Sequence, residues 1–345
     1  MDHTPISPPS PAVLALAHER LAGLATPAGA LGRVGQLGAW LAACQGSVPP
    51  RPLTDVRLAV FAGDHGVAAH GVSAYPSAVT EAMVRTIVAG RAGVSALAME
   101  HGVAVTVLDV AVDADLSDLP TGVTARKIRR GSGAIHLTDA LSSSETERSL
   151  ALGAAIAAEL VDDGAQLLIT GDLGIGNTTP AAALVAASLG LPADEVTGRG
   201  TGIDDEGWSR KRDVVAAALA RAGDRVTDPV DLLTALGSAD LAATVGFLVS
   251  ASRLGVPVVL DGLMSVACAV VAEATAPGAS AWWVAGHRST EPAQSHALKS
   301  LGLEPLLDVG MRLGEGSGAV AALPVLRSGI AVMRDVALLS EILPE

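Results

Sequence analysis

The chain has 345 residues, half of them hydrophobic, with aromatics at only 2% and a formal net charge of −13. That acidity argues against nucleic acid or an anionic membrane surface as a partner. The two cysteines, Cys44 and Cys268, are too few for a disulfide framework and sit in no metal-spaced pair, so no metal is expected.

The opening MDHTPISPPSP shows no basic-then-apolar signal pattern, and no uncharged apolar run reaches about 18 residues. A cytoplasmic protein is expected. Residues 1–11, rich in Pro and Ser, read as a flexible tail. Apolar residues at helical spacing (Val13, Leu14, Leu16, Leu21, Leu24) predict a helix over 12–24, and a second is predicted over 31–44. Between them Thr26 to Arg33 forms a turn, and 45–54, with three prolines, links to the main domain.

From there strand-like runs at 56–62, 104–110, 166–170, 256–260 and 281–285 alternate with helical stretches, and a shorter run lies at 305–309. The helical stretches fall at 77–100, 140–163, 181–189, 206–222, 229–236, 239–253 and 263–274. Such alternation predicts an α/β fold: a Rossmann-like parallel sheet with helices on both faces and ligands at the carboxyl ends of its strands. Apolar helices over 319–343, broken near Gly329, close the chain. The expected organisation is an α/β domain over 51–318 and a small helical subdomain from 12–50 and 319–345.

The segment GDLGIGNTTPAA, Gly171 to Ala182, joins an apolar strand to a helix start. Small residues there let backbone N–H groups approach a phosphate, and the helix dipole favours negative charge. It approximates a P-loop with Asn177 in place of lysine, and it approximates GxGxxG without the third glycine. A second glycine-rich loop, Gly198 to Asp204, precedes a helix bearing Arg210, Lys211 and Arg212. Arg199 or Lys211 can supply the cation that the first loop lacks.

After the first strand, Asp64 and His65 fit no standard zinc spacing; Asp64 reads as organising the turn and His65 as hydrogen-bonded within it. Tyr75, the only tyrosine, is a candidate to line an apolar pocket with Pro76 and Met83. Asp261 closes the fourth strand as a substrate carboxylate or a helix cap, and His287 and Arg288 close the fifth. Glu315 stands alone among glycines in RLGEGSG. Glycine destabilises a helix start, so its use there suits close approach of a ligand, or tight packing beside a first-turn Glu.

GDLGIGNTTPAAAL, GRGTGID, FAGDHGV…GVSAYP, the DG after the fourth strand, GHRSTEP and RLGEGSGA occur in one order. Together they resemble the nicotinate-nucleotide–dimethylbenzimidazole phosphoribosyltransferase family, whose members make the α-ribazole phosphate of cobalamin's lower ligand. The resemblance runs from about Leu24 to the C-terminal helices. It implies a homodimer acting on nicotinate mononucleotide and dimethylbenzimidazole, with neither metal nor redox cofactor. It makes Glu315 the general base and gives the phosphoribosyl group to Gly174, Gly176, Asn177, Thr178, Gly200, Gly202 and Lys211. Leu173 and Leu313 become apolar walls for the base. Two positions depart from the family pattern: Asp172 replaces a Glu, leaving it a possible acidic assistant, and Ala82 replaces an amide side chain. A dinucleotide-dependent oxidoreductase would require GxGxxG after the first strand, where GDHG stands instead. A nucleotide-binding regulatory module leaves Glu315 unexplained.

Overall fold

The computed structural model describes residues 4–343. Six strands form one parallel sheet: β1 (Val56–Gly63), β2 (Val103–Ala111), β3 (Leu167–Leu173), β4 (Val258–Leu260), β5 (Trp283–His287) and β6 (Pro305–Leu307). Their order is β2-β1-β3-β4-β5-β6, so the chain reverses direction across the sheet between β1 and β3. That reversal opens a crevice beyond the strand ends, the usual ligand position in open α/β sheets. Val56 pairs with Val103 on one side and Leu167 on the other, which brings the carboxyl ends of β1 and β3 level.

The described helices of two turns or more are α1 (Pro11–Gly23), α2 (Gly32–Gln45), α3 (Ala78–Val88), α4 (Gly93–His101), α5 (Ser143–Asp162), α6 (Thr178–Leu189), α7 (Asp205–Ala222), α8 (Pro229–Leu236), α9 (Ala239–Arg253), α10 (Leu263–Thr275), α11 (Pro292–Leu301) and α12 (Ser317–Asp335). Strand residues alternate between two cores, as the strand period of two requires. Ala59, Phe61 and Leu168 face the α5–α11 layer, whereas Leu58, Val60 and Ile169 face α2, α3, α4 and α12. Alanine and glycine let the helices approach closely. A methyl on Gly153 of α5 would fall 1.7 Å from the Ala243 carbonyl of α9.

Several boundaries differ from the sequence expectation. The stretch 77–100 is two helices separated by Gly90, which has φ +71°. Residues 78–101 are long and apolar enough for a membrane span by composition. As helices of 11 and 9 residues, neither reaches the roughly 20 that a span requires. The break expected near Gly329 is absent, and α12 runs through it. Gly329 is instead the place where α12 crosses α2: a methyl on Gly38 would lie 2.4 Å from the Gly329 carbonyl. Helix α11 was not among the expected elements.

The terminal helices pack together, with Ala17, Ala39, Ala42 and Met333 in a small core of their own. Leu323, Leu326 and Ile330 of α12 nevertheless belong to the core beneath the sheet, along with Leu37 and Leu41 of α2. The terminal segments therefore share the sheet's core as well as having their own. Residues 1–3 of the expected tail lie outside the described residues, as do 344–345. The rest of that segment is fastened down: the Ile6 amide donates to the Pro277 carbonyl at 2.8 Å, and Trp282 Nε1 donates to the Ser7 carbonyl at 2.9 Å.

Candidate active site

A cleft enclosing about 860 Å3, its solvent mouth included, lies beyond the carboxyl ends of β3, β4 and β5. The loop 174–177 and α6 form one wall, the loop 198–202 another, and residues 312–315 the side opposite.

At the first wall, β3 runs on through Asp172 and Leu173, and α6 starts at Thr178, so the turn is only Gly174 to Asn177. Gly176 has φ +88°, which a side chain would strain. The amides of Ile175, Asn177 and Thr179 bond to Thr80 Oγ1, Gly174 O and Gly176 O. The N–H groups of Gly176 and Thr178 have no acceptor among the described residues, as an anion-binding helix start requires. Lys211, fully buried, donates from Nζ to Thr178 Oγ1 at 2.8 Å and to the Gly198 carbonyl at 3.1 Å. Burial pulls its pKa down, and the charge of Glu291 partly opposes that. Glu291 Oε1 accepts from the Gly200 amide at 2.8 Å, tying the loop after β5 to the loop at 198–202. Gly198 leaves room for this carboxylate, since a methyl there would lie 2.1 Å from Glu291 Oε2 and push it aside.

Opposite stands Glu315, the only described non-glycine residue with positive φ, at +64° between Gly314 at +83° and Gly316 at +91°. This run of left-handed residues accounts for the flanking glycines. Holding a glutamate so costs about 1–3 kcal/mol, and such strain clusters at functional sites. The side chain is 4% exposed, and Oε2 accepts from the Val94 amide at the start of α4 at 3.3 Å. Burial raises the Glu315 pKa; the Val94 hydrogen bond opposes this, and the Asp261 charge adds to it.

Asp261 settles its own alternatives. Its carboxylate accepts from the amides of Gly318 (2.8 Å) and Ala319 (3.0 Å) and, less closely, Gly316 (3.2 Å). It caps α12, far along the chain, and not the helix that follows it. His287 borders the cleft with neither ring nitrogen hydrogen-bonded, and its Nε2 lies 3.5 Å from Asp261 Oδ1.

Asp172 is buried and turned along the loop: Oδ1 accepts from Asn177 Nδ2 at 2.6 Å. Its pKa is raised by burial first and then by Asp240. His65 was expected to be hydrogen-bonded in its turn, but both its ring nitrogens are buried without a partner. The turn is held by Asp64 instead, whose Oδ2 accepts from the Asp113 amide at 2.8 Å.

Asp172, Leu173, Gly174, Gly176, Asn177, Thr178, Gly200, Leu313 and Glu315 thus share one cleft. Gly202 borders the adjoining hollow, and Lys211 lies behind the wall. Tyr75 and Met83 do not line the cleft. Tyr75 is 54% exposed, and Met83 packs onto the core beneath the sheet because that face of α3 is needed to cover β1. Arg199 and Arg288 are paired with Asp205 and Asp308. Arg312 lines the cleft without an ion pair among the described residues, its Nη1 3.2 Å from the Gly200 carbonyl. Sequence reasoning gave no role to Arg312 or Glu291, although they lie within the quoted RLGEGSGA and GHRSTEP.

A phosphoribosyltransferase family profile matches residues 6–342. The chain is 53% identical over 337 residues to the nicotinate-nucleotide–dimethylbenzimidazole phosphoribosyltransferase of Mycobacterium avium (strain 104), covering 98% of this chain and 96% of that one. The chain belongs to the nicotinate-nucleotide–dimethylbenzimidazole phosphoribosyltransferase family. The protein of the same name from Mycobacterium marinum (strain ATCC BAA-535 / M) is 51% identical, with 98% and 94% covered. Among solved structures, CobT from Thermus thermophilus superposes with a TM-score of 0.90 at 44% identity, over 95% of this phosphoribosyltransferase and 97% of that chain.

Proposed function

We propose that this phosphoribosyltransferase moves the phosphoribosyl group of nicotinate mononucleotide to 5,6-dimethylbenzimidazole, giving α-ribazole 5′-phosphate and nicotinate for the cobalamin nucleotide loop. The observation that carries the reading is a strained, buried Glu315 facing the glycine-rich start of α6 across one cleft. The named relatives support the choice of substrates.

In this reading the phosphate lies at the Gly174–Thr178 turn and Gly200, with Lys211 supplying charge from behind Thr178. Gly202 shapes the outer side of the same loop. Leu173 and Leu313, with Met264, give the benzimidazole apolar contact. One ring nitrogen attacks the anomeric carbon from the face opposite nicotinate. The C–N bond to the pyridinium breaks with its electron pair returning to the nicotinate nitrogen, and configuration inverts from β to α. Glu315 takes the proton from the other benzimidazole nitrogen as charge develops there. Alignment can supply about 7–11 kcal/mol of the barrier and a general base a factor of about 10²–10⁴. No step needs a metal or redox cofactor, because the leaving group is already an activated pyridinium. Asp172 in this scheme orients Asn177 and leaves proton removal to Glu315.

A cytoplasmic homodimer belongs to the same reading. The α3–α4 face and the cleft mouth carry exposed apolar side chains, Tyr75, Met99 and Leu313, that a second copy would cover. The test is incubation of the purified chain with both substrates, following nicotinate release and α-ribazole phosphate by chromatography. Absence of both products overturns the proposal.

A further inference from the structure

Among the described residues the Glu315 side chain has one hydrogen bond, the 3.3 Å contact from the Val94 amide. Its aim therefore depends on its backbone. A non-glycine residue at φ +64° persists only where its surroundings over-determine it. Two contacts hold the peptide that joins Glu315 to Gly316. On the carbonyl side β3 leaves no slack, since a methyl on Gly171 would lie 2.4 Å from the Glu315 carbonyl oxygen. On the amide side the Gly316 N–H donates to Asp261 Oδ2 at 3.2 Å.

Asp261 divides its oxygens between two tasks. Oδ1 accepts from the amides of Gly318 and Ala319, in the first turn of α12, at 2.8 and 3.0 Å. Oδ2 accepts from Gly316 alone among the described residues. Asp261 directly follows β4 and is 3% exposed, so the sheet is the reference point for both. The start of α12 is also pressed against β5, where a methyl on Gly286 would lie 2.6 Å from Ala319 Cα. A helix cap needs one acceptor oxygen, which serine or asparagine supplies. The second oxygen, on the residue next to Glu315, is what capping does not explain.

We infer that Asp261 is a positioning residue for Glu315: through Oδ2 it holds the Glu315–Gly316 peptide in the orientation that keeps the Glu315 carboxyl in the cleft. The inference rests on the general-base reading of Glu315. Turning that peptide over would point the Gly316 N–H away from Oδ2 and drive the Glu315 carbonyl off Gly171, and the side chain would leave its place beside Val94. A displacement of about 1 Å at a reacting group can cost about 10²-fold in rate.

Asp261→Asn isolates the second oxygen. The amide oxygen takes the Oδ1 position, because the reverse orientation would set Nδ2 against the two N–H groups of α12. Nδ2 then faces the Gly316 N–H, donor against donor. The kcat should fall about 10–100-fold, with the KM for nicotinate mononucleotide within about threefold of wild type. In a Glu315→Gln background the same substitution should change kcat by less than about threefold, because a misplaced residue that takes no proton has nothing further to lose. Amide hydrogen exchange reads the peptide without turnover. In ligand-free Asp261→Asn, residues 314–317 should exchange about tenfold faster or more, with 320–326 of α12 within about threefold of wild type.

An unchanged kcat in Asp261→Asn, a loss carried over in full to the Glu315→Gln background, or wild-type exchange at 314–317 overturns the inference. If Asp261→Asn does not fold, Asp261→Ser, which keeps a single capping oxygen, goes through the same cycle and is read the same way. If Glu315→Gln alone turns over at the wild-type rate, the general-base reading fails, and the exchange comparison still decides whether Asp261 holds the peptide.

Discussion

Replacing Glu315 with glycine separates what the residue does for the fold from what it does for the reaction. At φ +64° the glutamate holds about 1–3 kcal/mol of backbone strain that glycine releases. Glycine forfeits the carboxylate's hydrogen bond from Val94, which at 3.3 Å belongs at the weak end of charged bonds, about 1.5 kcal/mol. It also adds about 0.5–1 kcal/mol of unfolded-state entropy. These contributions offset, so Glu315→Gly should unfold in urea within about 1 kcal/mol of wild type. Its turnover should nonetheless fall by roughly 10²–10⁴. Glu315→Gln, which keeps the shape, should lose turnover to a similar extent with little change in the nucleotide KM. Because burial raises the Glu315 pKa, the proton-accepting form is lost at higher pH than for an exposed glutamate. The wild-type kcat should therefore fall on acidification before ordinary carboxylates titrate, and Glu315→Gln should lack that limb. Near wild-type turnover by Glu315→Gln across pH 6 to 9 would falsify the assignment.

Lys211→Ala should raise the nucleotide KM by roughly 10–150-fold, the equivalent of about 1.5–3 kcal/mol for a truncated charged partner, and leave the KM for the base nearly unchanged. Equal kinetics for both substrates would move the phosphate toward Arg312. Gly153→Ala should destabilise by about 1–3 kcal/mol or more in denaturant, since its methyl would overlap the Ala243 carbonyl at 1.7 Å. Gly122→Ala, whose methyl meets nothing within 4 Å, is the control and should unfold within about 0.5 kcal/mol of wild type. Light scattering should give twice the 34.4 kDa chain mass, and a monomer at assay concentration would remove the dimer from the proposed function.

The fold was legible because it is written locally. The alternation of Val, Leu and Ala runs marks strands buried on both faces, and every expected strand is present to within a few residues. What local pattern cannot encode is who meets whom. Gly329 reads as a helix break until Gly38 is known to press against it. Asp261 reads as a cap for its own helix, but caps one more than fifty residues on. Asp240 reads as an unremarkable first-turn acid, because its place against the bare Gly63 depends on α9 packing on β1. Glu315 was conspicuous for the opposite reason: its glycine neighbours are a local requirement of three successive left-handed residues.

The clasp between the two ends of the chain bears on how the protein comes to exist. Arg20 of α1 donates from Nε to the Met333 carbonyl of α12 at 2.6 Å, across 313 positions of sequence. At a synthesis rate of about 5–20 residues per second, α1 and α2 leave the ribosome roughly 15–60 s before their partner does. Throughout that interval Leu37 and Leu41 have no α12 to cover them, and the face of the sheet reserved for Leu323 and Leu326 stays open. Nascent chains therefore pass through a long stage with apolar surface at both the amino end and the sheet. Truncation near the C-terminus would make that stage permanent, turning a modest deletion into an aggregation-prone product.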